Sequence, residues 1–91
     1  SIARAVSYLR RAANISPRNT AIQSDLKNAE IYQIAFNNFI DMNWVQAINY
    51  FNQIIATDAN FAGGNAKILL FEAYYAVGKQ YYERKPRRTT S

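Results

Sequence analysis

An apolar stripe of helical period occurs twice in this chain, 42 residues apart, and it narrows the available folds more than any other feature. One copy runs Trp44, Ala47, Ile48, Phe51, Ile54, Ile55; the other runs Ile2, Ala5, Val6, Leu9, Ala12, Ala13. Spacing of i, i+3, i+4, i+7 puts each set on one face of an α-helix. The stops after them also recur, as Ile15-Ser16-Pro17-Arg18-Asn19 and Thr57-Asp58-Ala59-Asn60-Phe61. A repeated helix with a repeated stop predicts an all-α chain built as a solenoid of stacked helical units.

Four helices are expected, over 2–14, 20–41, 44–57 and 62–84. Pro17 cannot continue the first. Thr20 and Gln23 have the spacing of a capping box for the second, and Asn43 with Gln46 for the third. The second helix carries Ile22, Leu26, Ala29, Gln33, Phe36 and Ile40 on one stripe, widened by Ile31, Tyr32, Ile34, Ala35 and Phe39. Apolar residues round most of a helix mean that it is touched on two sides. Gly63 and Gly64 weaken the first turn of the fourth helix by roughly 1 kcal/mol each, so firm order is expected from Asn65. Pro86 is expected to end that helix, leaving 85–91 as a flexible basic tail.

Offsetting the chain by 42 also pairs Tyr8 with Tyr50, Glu30 with Glu72, Tyr32 with Tyr74, Phe39 with Tyr81 and Ile40 with Tyr82. Residues 1–42 and 43–84 therefore read as two copies of one helix–turn–helix unit. Such a unit has no polar capping helix. The first helix is expected to expose Ile2, Val6 and Leu9, and the last to expose part of 68–82.

Asn43–Asn60 resembles a tetratricopeptide repeat. The second helix of that family carries a small residue, an aromatic and another small residue ahead of Asp-Pro. Ala47, Phe51, Ile54 and Asp58-Ala59 occupy those places here, and Ala5, Leu9, Ala12 and Ser16-Pro17 do so in the first copy. Ala35 matches the small first-helix residue, and Leu70-Phe71-Glu72-Ala73-Tyr74-Tyr75 with Gly78 matches the leucine, tyrosine and turn glycine. The period departs from the family's value of about 34. The inner helices are then about two turns longer. The family register would end the last helix at Gly78, whereas the internal repeat carries it to about Arg84; the longer helix is expected. The resemblance implies a right-handed solenoid of antiparallel helix pairs whose inner helices line a peptide-holding groove. It would give that role to Tyr32, Phe36 and Phe39, then to Tyr74, Gly78 and Tyr81; Tyr75 and Tyr82 are added as partner contacts because the aromatics of the last helix exceed what one thin core needs. Tyrosine suits such a surface, with a rigid apolar body and a polar tip.

The chain contains no cysteine and no histidine, which removes disulfides, thiolate nucleophiles and imidazole chemistry. Its six carboxylates are dispersed, and Gly63-Gly64 lacks the rest of a phosphate loop. A non-catalytic chain with no cofactor and no metal is expected. No run approaches the roughly eighteen apolar residues of a membrane span. With no targeting segment visible, the cytoplasm is the favoured location.

The net charge of +5 is unevenly distributed. Arg4, Arg10, Arg11 and Arg18 lie at one end, and Lys79, Arg84, Lys85, Arg87 and Arg88 at the other, around an acidic middle. Three functions follow from these features. The first is binding of a protein or peptide through aromatic inner helices. The second is end-to-end stacking of like chains through uncapped helices. The third is contact with nucleic acid or an anionic surface through Arg10, Arg11, Arg84, Lys85, Arg87 and Arg88.

Overall fold

The computed structural model describes residues 1–89, with side chains described through Glu83. Among the described residues the chain is all-α. Its helices are α1 (Ile2–Ile15), α2 (Thr20–Ile40), α3 (Trp44–Thr57) and α4 (Asn65–Thr89), with a short turn at Phe61–Gly64 between the last two. Each helix packs on the next, and α2 also touches α4. Arg10 meets Glu30, while Ser1–Ala3 share a cavity wall with Tyr32–Asn37, so α1 and α2 run antiparallel. Asn28–Thr57 and Phe39–Trp44 contacts set α2 and α3 antiparallel in the same way.

The core follows from small residues alternating with rings. Ala29, Ala35, Ala47, Ala66 and Ala73 are almost wholly buried and let the helix backbones approach closely. Phe51 fills the space between α2 and α3. Its ring centroid lies 5.9 Å from Tyr32 and 6.4 Å from Phe39. Phe39 in turn stands edge-on to Trp44 at 5.1 Å. Ring pairs at these separations add about 0.5–1.5 kcal/mol beyond their area burial.

The α1 stripe is spent on α2. Val6 is buried, and Ile2 and Leu9 are half-buried, which corrects the expectation that this stripe would lie open. A single neighbouring helix suffices to cover so narrow a stripe. The buried polar side chain Asn28 is satisfied across the α2–α3 interface: its Nδ2 donates to Thr57 Oγ1 at 3.0 Å. Thr57 Oγ1 lies 3.1 Å from the Ile54 carbonyl and 3.3 Å from Asn28 Oδ1, so its proton has an acceptor on either side.

The termini of the helices differ from expectation in three places. The N-cap of α2 is Asn19, one residue ahead of Thr20; its Oδ1 accepts from the Ile22 N–H at 3.1 Å, and Gln23 Nε2 donates to the Pro17 carbonyl. The α4 helix starts at Asn65 rather than 62, because Ala62, Gly63 and Gly64 take φ of 58°, 65° and 90°. Gly63 and Gly64 thus turn the chain through left-handed backbone and do not belong to a weak helical turn. The α4 helix also runs past Arg84 and Pro86 to Thr89, beyond both Gly78 and the expected stop. Proline's fixed φ is helical, so it removes one hydrogen bond and crowds the preceding turn without forbidding continuation. The side chains of 84–91, and Thr90 and Ser91 altogether, lie outside the described residues.

The α4 helix outlasts its support. Its 25 residues span about 37 Å against about 21 Å for α3. From Gly78 to Glu83 every residue is exposed. The radius of gyration is accordingly 16.4 Å, against about 12 Å for a compact chain of this length.

Met42 closes α2. At φ 62° it is the left-handed residue of a Schellman turn, with the Asn43 N–H bonded to the Asn38 carbonyl and the Met42 N–H to that of Phe39. Glycine is the usual residue there, since a side chain in this region costs roughly 1–2 kcal/mol. Met42 is exposed, so Met42→Gly forfeits no packing. The substitution is expected to raise unfolding free energy by about 1 kcal/mol in urea titration. An unchanged or lowered value would contradict the left-handed turn.

Candidate interaction surface

The helix α4 has two apolar faces. One carries Ala66, Leu69, Leu70 and Ala73 and packs onto α3; Ala66 and Ala73 are fully buried. The other carries Ile68, Phe71, Tyr75, Gly78 and Tyr82 and faces solvent. Phe71, Tyr75 and Tyr82 are 68%, 65% and 79% exposed. The second set advances by alternating steps of three and four residues, the a/d spacing of a heptad seam. It forms a stripe about 21 Å long. Exposed large apolar residues scattered singly are ordinary, whereas a continuous stripe on one helix marks a contact surface.

Gly78 interrupts that stripe with a notch. Tyr75, Lys79, Tyr82 and Glu83 surround it, enclosing about 380 Å³ open to solvent. Among the described residues nothing lies within 4 Å of where a Cβ on Gly78 would stand, so the notch belongs to the surface and none of them fills it.

The expected groove residues separate into two groups. Tyr32 is buried, with its ring 5.9 Å from those of both Phe51 and Phe61 and 6.4 Å from Phe36. Phe39 is held between Trp44 and Phe51, and Phe36 is half-buried beside a cavity lined by Ser1, Ile2 and Ala3. Phe51 commits Tyr32 and Phe39 to the core, whereas Phe36, with Tyr32 behind it, lines that cavity of about 420 Å³, which opens to solvent. Tyr74, Tyr75, Tyr81 and Tyr82 are exposed on α4. Tyr74 Oη accepts from Asn52 Nδ2 at 3.2 Å, which ties its tip to α3.

That bond departs from the 42-residue offset expected from the sequence. The helices α1 and α3 start 42 residues apart, have equal lengths, and end in equivalent bonds, from Ser16 N–H to Ala12 O and from Asp58 N–H to Ile54 O. Arg10 pairs with Glu30 across α1–α2, and its equivalent Asn52 pairs with Tyr74 rather than Glu72. Buried Ala29 likewise corresponds to buried Ala73. On α4 the match therefore falls two residues later, after the left-handed turn at 62–64. Tyr74 takes the place of Glu30, not of Tyr32, which is why Tyr74 is exposed and Tyr32 is not.

Of the basic residues, Arg10 Nη2 lies 2.8 Å from Glu30 Oε2, and the Arg11 guanidinium sits 5.7 Å from the centre of the Tyr8 ring. Both are engaged within α1–α2. The side chains of Arg84, Lys85, Arg87 and Arg88 lie outside the described residues. Among the described residues no three carboxylate side chains cluster as metal ligands would, and no helix is long and apolar enough to cross a membrane. No family model, no curated protein and no solved structure matches the chain.

Burial raises the Tyr32 phenol above its ordinary pKa of 10.0, since desolvation disfavours the phenolate. The unfolded chain then releases this proton at lower pH than the folded one. The stabilisation is complete below the ordinary value and is lost as pH rises through the folded value. Urea midpoints measured from about pH 8 to about pH 11 should fall more steeply for the wild type than for Tyr32→Phe. Equal slopes would place the Tyr32 hydroxyl in water.

Proposed function

We propose that this chain is a non-catalytic, tetratricopeptide-like helical-repeat module that binds protein through the outward face of α4. The observation that carries the reading is the heptad stripe Ile68, Phe71, Tyr75 and Tyr82, exposed on a helix whose opposite face is already buried. An apolar stripe of this kind is what a helix-in-groove or helix-on-helix contact uses, with aromatic anchors at helical spacing. The repeat reading is supported by the equal lengths, 42-residue offset and equivalent end turns of α1 and α3. The surface differs from the groove expected around Tyr32, Phe36 and Phe39, of which Tyr32 and Phe39 serve the core; Tyr75 and Tyr82 are kept as partner contacts.

End-to-end stacking through α1 is a weaker reading, because Val6 is buried and Ile2 and Leu9 are half-buried against α2. Contact with an anionic surface loses support in α1, where Arg10 already has a carboxylate partner.

A photo-crosslinking side chain placed at position 71, 75 or 82 tests the proposal. Covalent protein adducts are expected from all three, and not from the same side chain at exposed Asp25 on α2. Adducts that form equally from position 25, or from none of the α4 positions, would contradict it.

A further inference from the structure

The outward face of α4 is complementary to itself when a second copy is laid against it antiparallel, and we infer that the chain pairs through α4 as a two-fold dimer. The inference rests on the reading of that face as a protein-binding surface and names its partner. Antiparallel seams place each a residue opposite a d residue of the other helix. On α4 this sets Phe71 against Tyr82 of the second copy and Tyr75 against Gly78. The notch over Gly78 then receives a tyrosine ring, a large knob entering a hole where the seam has its smallest residue. The two-fold axis makes every contact occur twice and closes the assembly at two copies.

Charge selects the same alignment. The residues flanking the seam on one side are Glu72 and Lys79, seven apart. In the antiparallel alignment that sets Tyr75 on Gly78, this flank faces its counterpart, and Glu72 of each chain meets Lys79 of the other. Neither has an ion-pair partner among the described residues of its own chain. A parallel pairing in register would instead set Tyr75 on Tyr75 and Gly78 on Gly78, leaving both notches unfilled. Six rings, each already partly covered by its own helix, bury on the order of 1,000 Å² in all, the low end for a specific interface. An interface of that size belongs to the weak, transient class.

Sedimentation equilibrium of the whole chain, from about 1 μM to about 1 mM, tests the inference. The wild type should pass from monomer to dimer within that range. Glu72→Lys and Lys79→Glu should each weaken dimerisation by about tenfold or more, because each sets like charges opposite one another twice. Mixing the two variants should restore a dimer, since every Lys then faces a Glu; so should placing both substitutions in one chain. Gly78→Leu should also abolish pairing with its helix content intact, because a Cβ there meets nothing in the monomer.

A wild type that stays monomeric throughout, a dimer indifferent to the single charge changes, or a mixture that fails to re-associate would overturn the inference. A monomeric chain whose position 75 still crosslinks a different protein would overturn self-pairing and leave the binding reading standing. A monomeric chain with no crosslink at all would overturn both.

Discussion

Phe51 is the side chain on which the arrangement depends. It is fully buried, it stands 5.9 Å from Tyr32 and 6.4 Å from Phe39, and it extends from a helix that contacts both α2 and α4. The small residues around it, Ala35 and Ala47 above all, let α2 and α3 close onto the ring. Truncating a phenyl ring in such a position typically costs about 3–5 kcal/mol. That is a large share of the stability of a domain this size. The helical content of α1 and α3, each only 14 residues, depends on this packing more than on intrinsic propensity.

The left-handed turn at Ala62, Gly63 and Gly64 decides what the fourth helix presents. It delays α4 by two residues relative to α2. The slip brings Ala73 rather than Phe71 under α3, and leaves Phe71 facing solvent. The tyrosines that mirror core residues of α2 in sequence are thereby turned out of the core. Because α4 also outruns α3, the outer part of its stripe stands clear of the rest of the chain, with room for another helix to lie along it.

Much of the fold was legible from periodicity alone. The stripes in 2–15 and 44–57 each have one covered face, and the turns between helices fell within a few residues of their expected places. The cap at Asn19 and the left-handed Met42 were not visible, because Thr20 and Asn43 offered equally good local chemistry and methionine rarely marks φ above zero. Pro86 misled for a related reason: a missing N–H is costly in a helix without being prohibitive. The division of the aromatics was hidden most deeply. Tyr32 and Tyr74 look equivalent in a 42-residue register, and it takes the bond between Asn52 and Tyr74 and the burial of Ala73 to show that they are not. The heptad steps from Ile68 to Tyr82 were present in the sequence. They were masked by the second apolar face of the same helix, which leaves no single stripe to recognise.

The central claim is that α4 buries one face within the chain and keeps the opposite one for a partner. Hydroxyl-radical footprinting of the aromatic side chains, at low and at high protein concentration, addresses both halves at once. The account predicts that Phe51 and Tyr32 resist oxidation at either concentration. Phe71, Tyr75 and Tyr82 should react freely when the chain is dilute and become protected when it is concentrated. Oxidation of Phe51 as fast as Tyr75 in dilute solution would contradict the packing, and α4 rings that react equally at both concentrations would contradict the self-pairing.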